Sequence, residues 1–428
     1  MTDSKQNWSP IEGLLSHKYR RTIYLAALAL TIITLLTFYS APISSRRTTT
    51  TTTTTTKTAT SSGHKGEWDW DWRRDAGNLL MTDEQCGAAF PGLFVEIERA
   101  VDTRKENKIT FEELDAIKPQ YGYGRAMIYD QQLYIISIDS TVYSRTMATL
   151  HAIHRAILTS PEPLPNIEFT FIVNDKIDPT TTWALTRRAA DTDIWLMPDF
   201  GYYSWPETKV GTYAEVQQKI LAAEHTSPWS SKRAKLVWRG APMTAHNIRQ
   251  HLVDATAGKS WADVKYLDWN DKPALQRDLL AMPDHCGYKF VAHTEGASYS
   301  GRLKYLQNCR SVVVAHRLQW IQHHHPLLVS EGPEQNFVEV DDEFVGLEAA
   351  MEELLADDAR AERIAGNAVR VFRERYLTGA AEVCYWRRLV RGWRDVSFEP
   401  SFYDEKGEWR GVPAESYFLM GKVEWEPY

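Results

Sequence analysis

Two α/β lobes facing a cleft, set behind an N-terminal apolar anchor, is the fold class this chain predicts. Strand-like and helix-like runs alternate from about residue 122 to residue 393, the pattern of layered sheets that are mainly parallel. A polar connector at Ala223–Lys232, with His225, Ser227, Pro228, Ser230 and Ser231, divides that stretch into halves of similar size. At 428 residues, 43% hydrophobic and 25% charged, the chain is long enough for two such lobes and has the composition of a globular protein.

The chain opens with a polar leader, residues 1–22, and an apolar run. From Ile23 to Tyr39 no charge interrupts IYLAALALTIITLLTFY, which can span a hydrocarbon core of roughly 30 Å once. Residues 23–40 therefore predict a transmembrane signal anchor. Ala41-Pro42-Ile43 is a poor cleavage site, and Lys18, Arg20 and Arg21 against Arg46 and Arg47 point the amino terminus weakly to the cytosol. Residues 41–66, with Thr48 to Thr56 unbroken, have no apolar face and predict an extended stalk open to O-glycosylation.

In the leading segment, Trp68, Trp70 and Trp72 alternate with Asp69 and Asp71, which would put three indoles on one side of an extended chain. Glu84 to Ile117 reads as helical. Within it Asp102–Glu113 has the length of a calcium-binding loop, but Arg104 stands where an oxygen ligand belongs and Asn107 at the turn glycine. Two helices joined by a polar loop, the second capped by Thr110, explain it better.

Strands are expected at Met127–Tyr129, Leu133–Ile138, Ile167–Val173, Asp193–Met197, Lys235–Trp238, Tyr288–His293 and Ser311–Ala315. Helices are expected at Ser144–Leu158, Tyr213–Glu224, Ala245–Ala257, Ser300–Gln307, Phe344–Leu355 and Asp358–Tyr376, the last running on to Trp393. Domain limits follow at 67–228 and 229–395, with 396–428 as an extension.

A net charge of −7 disfavours nucleic acid as a partner. Cys86, Cys286, Cys309 and Cys384 show no zinc-ligand spacing, and in a luminal domain they could form one or two disulfides. His323-His324-His325 cannot share one face, and Asp341-Asp342 suits the start of the following helix; no metal site is expected. The 16 Trp and 20 Tyr suit sugar stacking and core packing alike.

Two segments carry candidate chemistry. Lys235-Leu-Val-Trp-Arg-Gly-Ala241 is a strand ending in Arg239 and Gly240, where open α/β sheets present ligand-binding groups. The second, Tyr288 to Lys304, is a strand, a Gly/Ser-rich turn and a helix start carrying Arg302. Together they would hold a diphosphate without a metal.

These segments resemble glycosyltransferase family 90, the capsule-associated and Rumi-like O-glucosyl/O-xylosyltransferases, in a fungal-type version. The resemblance rests on Trp238–Gly240, Arg249, YKF and EGASYSGRLKYL between Tyr288 and Leu306, Ser311–His316 with Trp320, NFVEV at Asn336–Val340 and Cys384-Tyr385. It extends weakly to FTFIVND at Phe169–Asp175 and to MPDFGYYSWPE at Met197–Glu207, covering about two-thirds of the chain.

The family implies a GT-B-like architecture, a UDP-sugar donor carrying glucose or xylose, inversion at the anomeric carbon, and neither cofactor nor divalent cation. By position, Arg239 and Arg302 would grip the diphosphate, with Gly240, Gly296, Ser298 and Tyr299 lining the donor pocket. The general base implied by the family's aspartate after an LYR-type strand falls nearest Asp139; the local pattern departs from the animal one, so Asp130 and Asp175 stay open. The order of tail, anchor, stalk and globular part adds an expectation of Golgi or endoplasmic reticulum membrane, catalytic part luminal, and a glycan or glycoprotein acceptor. The alternative is a membrane-anchored carbohydrate-binding protein that kept the fold and lost turnover.

Overall fold

The computed structural model describes residues 69–176 and 180–423, and Lys65–Tyr428 cluster as one compact unit. The anchor at 23–40 and the stalk at 41–66 lie outside the described residues. Among the described residues no helix is long and apolar enough to cross a membrane.

Two main sheets organise the mixed α/β unit. The first has the order β13-β2-β1-β3-β4-β5, with β1 Tyr123–Tyr129, β2 Gln132–Ile138, β3 Ile167–Ile172, β4 Thr182–Ala184, β5 Ile194–Leu196 and β13 Val412–Pro413. The second runs β12-β11-β10-β8-β9, with β8 Arg233–Gly240, β9 Ala262–Tyr266, β10 Tyr288–His293, β11 Val312–His316 and β12 Val338–Val340. A small hairpin, β6 Ser204–Trp205 with β7 Gly211–Thr212, stands between them in the chain.

The second sheet is parallel throughout, and its strands are mainly apolar because helices cover both faces; β11 is Val-Val-Val-Ala-His, all buried. The expectation of mainly parallel sheets fails in the first sheet. There β1 pairs antiparallel with both β2 and β3, since the two-residue turn Asp130–Gln131, both at positive φ, folds β2 straight back along β1. Only β3, β4 and β5 run parallel.

Several elements depart from their expected form. Trp68 lies outside the described residues, and Trp70 and Trp72 do not lie along a strand: a short helix begins at Trp72, capped by Asp71, while Trp70 donates to the Glu374 carbonyl at 2.8 Å and meets Phe90 edge-on. The segment Glu84–Ile117 is three helices, Asp83–Ala89, Val95–Arg104 and Phe111–Asp115. Thr110 caps the third by accepting from Glu113 N, and Arg104 pairs with Glu113 at 2.6 Å, so a guanidinium bridges the loop's ends.

The long terminal helix breaks at Leu377, after a π-helical turn at Val369–Tyr376, because Thr378 caps a new helix, Gly379–Asp395. That helix was expected to close the second lobe, within 229–395. Instead it crosses back to the first sheet. Trp393 packs against Trp183 and Trp195 with its ring nitrogen on the Glu168 carbonyl at 2.9 Å, and Arg387 donates to Ala156 and Met81 carbonyls. The helix is apolar on its buried face, and that pattern does not say which sheet it will cover.

The segment after 395 also joins the first sheet, where β13 pairs with β2 and Arg410 reaches the buried Glu168, which Arg125 pairs as well. Two disulfides form, Cys86–Cys384 and Cys286–Cys309. Cys86–Cys384 closes a separation of 298 residues and ties the returning helix to Asp83–Ala89. Replacing both Cys86 and Cys384 by Ala should lower stability by about 2–4 kcal/mol, read as a lower guanidinium midpoint without reductant. An unchanged midpoint would mean that packing of the helix alone holds it.

Candidate active site

In the second sheet the chain passes from β8 to β9 on one side and returns to β10 on the other. The strand order thus reverses between β8 and β10, and the crevice above their carboxyl ends is where open α/β sheets bind ligands. The loops leaving these strands are 241–245 and 294–302.

Two arginines flank this crevice. Arg302 follows the second loop and donates to the Arg239 carbonyl; Arg249, on helix His246–Thr256, donates to Ala241 O at 2.7 Å and Glu295 O at 3.3 Å. Among the described residues neither has a carboxylate partner within ion-pair distance. Burial, and then the neighbouring Arg249 charge, push the Arg302 guanidinium down to about 10, and burial lowers Arg249 also. Two half-buried like charges that feel one another, with no carboxylate beside them among the described residues, suit an anion between them. The helix that follows Arg302 is only Leu303–Leu306, shorter than the expected Ser300–Gln307, so the guanidinium carries the charge rather than a helix dipole.

Arg239 does not share the crevice. It is 5% exposed, and its guanidinium is bound to the Asp278, Trp238 and Asp263 carbonyls and to the Asp263 carboxylate at 2.8 Å. Its side chain leaves the strand on the face covered by the segment 272–285 and staples β9 there. The Arg239 guanidinium, expected beside Arg302, is thus engaged with Asp263 and Asp278, and Arg249 is the arginine whose charge Arg302 feels. Gly240 answers to packing too: a Cβ there would meet the Trp238 ring at 2.4 Å.

Gly296 lies in the second loop, where a Cβ would stand 3.5 Å from Arg249 Nη2. Ser298 is fully buried, and its hydroxyl finds no partner among the described residues. Tyr299 points elsewhere: its hydroxyl donates to Asp199 of the first lobe.

Asp199 is the centre of a buried knot. Besides Tyr299 it accepts from Gly201 N at 2.6 Å and from Lys304 Nζ at 2.7 Å, and Lys304 also donates to Gly301 O at 2.7 Å. Both charged side chains are almost wholly buried, and the ammonium lies over the Tyr305 ring. Burial lowers the Lys304 pKa while the Asp199 charge opposes that fall. A second joint lies nearby, where Arg187 and Ile321 exchange backbone hydrogen bonds at 3.1 and 2.8 Å and Arg188 covers the Trp320 ring.

The three candidate bases separate. Asp130 sits in the β1–β2 turn, at the opposite end of β1 from the carboxyl end of β3, about 20 Å away by strand rise. Asp139 lies at the right end, but its oxygens accept from Gly122 N and Thr141 Oγ1, each at 2.5 Å. Burial alone would raise its pKa; these hydrogen bonds outweigh it and hold the carboxylate below its usual range. It pins Gly122, whose φ of +76° and contact with Asn174 leave no room for a side chain. Asp139 is thus committed to the turn. Asp175 follows β3 directly, is 40% exposed, and pairs with Arg145 at 2.8 Å, whose guanidinium lies over Phe200 beside Asp199. It is close enough for its charge to be felt by Tyr299.

Among the described residues five histidines are buried, His285, His293, His316, His323 and His324, and His325 is half-buried; the pKa of His316 is lowered by burial. His323 and His325 are pushed down to about 3 and His285 to about 4, with His293 and His324 also well below the usual value, all by burial. The triple histidine diverges: His324 meets Gln307 at 3.1 Å while His323 packs edge-on to Tyr202 and Tyr385. Asp341 accepts from three backbone amides, Glu343, Val345 and Gly346, ahead of helix Leu347–Ala356.

The chain is thus an α/β protein of two main sheets, with a pair of arginines lacking a carboxylate partner among the described residues at the switch point of the parallel sheet and a partly exposed carboxylate, Asp175, after β3 of the other. The family model described as Glycosyl transferase family 90 matches residues 83–400, and the chain belongs to that family. It is similar to Protein O-glucosyltransferase 1 of Rattus norvegicus, 25% identical over 53% of this chain and 62% of that one. Similar too are the O-glucosyltransferase rumi homolog of Aedes aegypti, 29% identical over 43% and 47%, and O-glucosyltransferase rumi of Drosophila melanogaster, 26% over 45% and 51%. The chain thus covers between 47% and 62% of the length of these relatives.

Removing one partner of the knot should be costly. Lys304→Met leaves Asp199 buried and unpaired, which should destabilise the protein by about 3–5 kcal/mol in a denaturant titration, and adding Asp199→Asn should restore part of the loss. The histidines give a second expectation. Their folded pKa values lie below the unfolded value near 6.5, so the unfolded chain takes up protons that the folded one cannot, and stability falls as pH drops below about 6.5. Glu295, raised to about 7 chiefly by burial, and Glu382, also raised chiefly by burial, act oppositely above about 4.5, but they are two groups against six histidines. The thermal midpoint should fall from pH 7.5 to 5.5; a rise would contradict their neutral burial.

Proposed function

We propose that this chain is a membrane-anchored, inverting glycosyltransferase of the secretory pathway. It would transfer glucose or xylose from a UDP-sugar to a hydroxyl of a glycan or glycoprotein, with its two lobes in a GT-B-like arrangement. The observation that carries the reading is the Arg249/Arg302 pair, two half-buried guanidiniums without a carboxylate partner among the described residues at the switch point. Membership of the family and the O-glucosyl transfer named for the relatives support the reaction class. The apolar run Ile23–Tyr39, a stalk rich in Thr and two disulfides support a luminal catalytic unit on a single-pass anchor.

In this mechanism the donor diphosphate lies between Arg249 and Arg302, near Gly296 and Ser298. The acceptor oxygen attacks the anomeric carbon while the bond from that carbon to the phosphate oxygen breaks, and UDP leaves with its charge balanced by the two arginines. A base must take the acceptor proton. Asp175 fits this role better than Asp139, because its side chain is 40% exposed and near enough to Tyr299, in the loop after β10, for its charge to be felt there. Arg145 orients it through their ion pair. Two guanidiniums can offset the diphosphate charge, which is the ground for proposing that no divalent cation is needed.

A single set of variants tests the reading. UDP should bind the full chain with or without chelator, and Arg302→Ala should weaken it by about 2–4 kcal/mol, with Arg302→Lys rescuing only in part. Asp175→Asn should cut turnover about 10²–10⁴-fold with UDP affinity kept. Asp139→Asn should instead lower the melting temperature. Full turnover in Asp175→Asn with loss in Asp139→Asn would restore Asp139 as the base.

A further inference from the structure

One buried carboxylate in the crevice is not used by the mechanism above. Glu295 stands two residues beyond β10, between the arginine pair and the loop after β11, and is 3% exposed. Its Oε1 accepts from the backbone amides of Gln319 at 2.9 Å and Trp320 at 2.8 Å, which fixes the carboxyl plane. Its Oε2 has no hydrogen-bond partner among the described residues. The nearest candidate donor, His316 Nε2, is 3.8 Å away and already accepts from the Glu295 backbone amide, so it carries no proton to give.

An acid this deep, held through one oxygen only, leaves its other oxygen open to a donor that enters the crevice. The ligand expected in this crevice brings both kinds of group. Its phosphates are acceptors, suited to Arg249, whose Nε is bound to Glu295's own carbonyl at 3.3 Å. A carboxylate oxygen would repel them. The parts of the ligand that carry O–H donors are its sugars, and an ionised carboxylate accepts well from hydroxyls on adjacent carbons.

Resting on the donor-site reading, we infer that Glu295 reads a vicinal diol of the bound nucleotide sugar through Oε2, dividing the crevice into an anion pole at Arg249 and Arg302 and a hydroxyl pole at Glu295. The diol belongs either to the ribose or to the transferred sugar. Glu295 is then a specificity residue and takes no proton from the acceptor. Trp320, held through its amide by Oε1 and by the Arg188 guanidinium over its ring, forms the wall beside this pole.

The test compares UDP, 2′-deoxy-UDP, 3′-deoxy-UDP and UDP-glucose on the full chain and on its Glu295→Gln and Glu295→Asp variants by titration calorimetry. Gln keeps an oxygen for the two amides, and each result is a ratio of affinities measured on one preparation, so a partly unfolded sample does not mimic it. The wild type should prefer UDP over the deoxy forms by about tenfold or more, and Glu295→Gln should erase that preference, which assigns the ribose. If the deoxy forms bind as UDP does, but Glu295→Gln removes the affinity gained from UDP to UDP-glucose, the transferred sugar is assigned. UDP binding with both preferences unchanged in Glu295→Gln would overturn the inference alone. No UDP binding by the wild type would overturn the donor-site reading and the inference with it.

Discussion

The ion pair between Asp199 and Lys304 is the contact on which the site depends. It joins a residue just after β5 of the first sheet to the short helix that follows the crevice loop of the second, at 2.7 Å and out of water. Each partner is satisfied further, Asp199 by Tyr299 and Gly201 and Lys304 by Gly301, so the pair meets the condition under which a buried charge pair is tolerable. Because Tyr299, Gly301 and Lys304 all belong to the segment that begins at His293, the first lobe sets the shape of the loop that faces the ligand. Arg145 extends the same influence to Asp175 through Phe200. The two halves of the chemistry are thus held at a set distance by one knot.

Much of the framework was legible because its signals are local. The second sheet's strands are short apolar runs bounded by polar turns, and β8, β10 and β11 lie within a residue or two of where periodicity places them. Thr110 was readable as a cap from its Glu at the third position. What was not legible depends on partners far away in the chain. The three-residue strands β4 and β12 exist because they complete sheets, and three residues carry no periodicity. The helix Gly379–Asp395 is amphipathic whichever lobe it covers.

The site divides in the same way. Arg302, Gly296 and Ser298 follow a strand into the crevice loop, and position alone puts them there. Arg239 precedes the strand end by one residue, and alternation along β8 sends its side chain to the helix-covered face, towards Asp263 and Asp278. Arg249 had a signal, since it lies in the first turn of the helix after β8, which is where a sheet at its switch point offers charge. Asp139 and Asp175 follow β2 and β3, the two strands that flank β1, and only the contacts with Gly122 and Thr141 on one side and Arg145 on the other tell them apart.

The return of Gly379–Asp395 to the first sheet makes the second lobe an insertion within the first. Sheet and helices of the second lobe use one continuous stretch, from β8 to the π-helical turn, whereas the first lobe needs Cys384, Trp393 and Arg410 from beyond it. During synthesis the order of completion is therefore inverted: the later lobe has all its own strands as soon as β12 emerges, while the earlier one must wait with its Trp183 and Trp195 uncovered. The wait spans most of the second sheet's translation, and an exposed aromatic surface held that long is a target for chaperones. Maturation of the chain, rather than its turnover, is then the step most sensitive to changes near its carboxyl end.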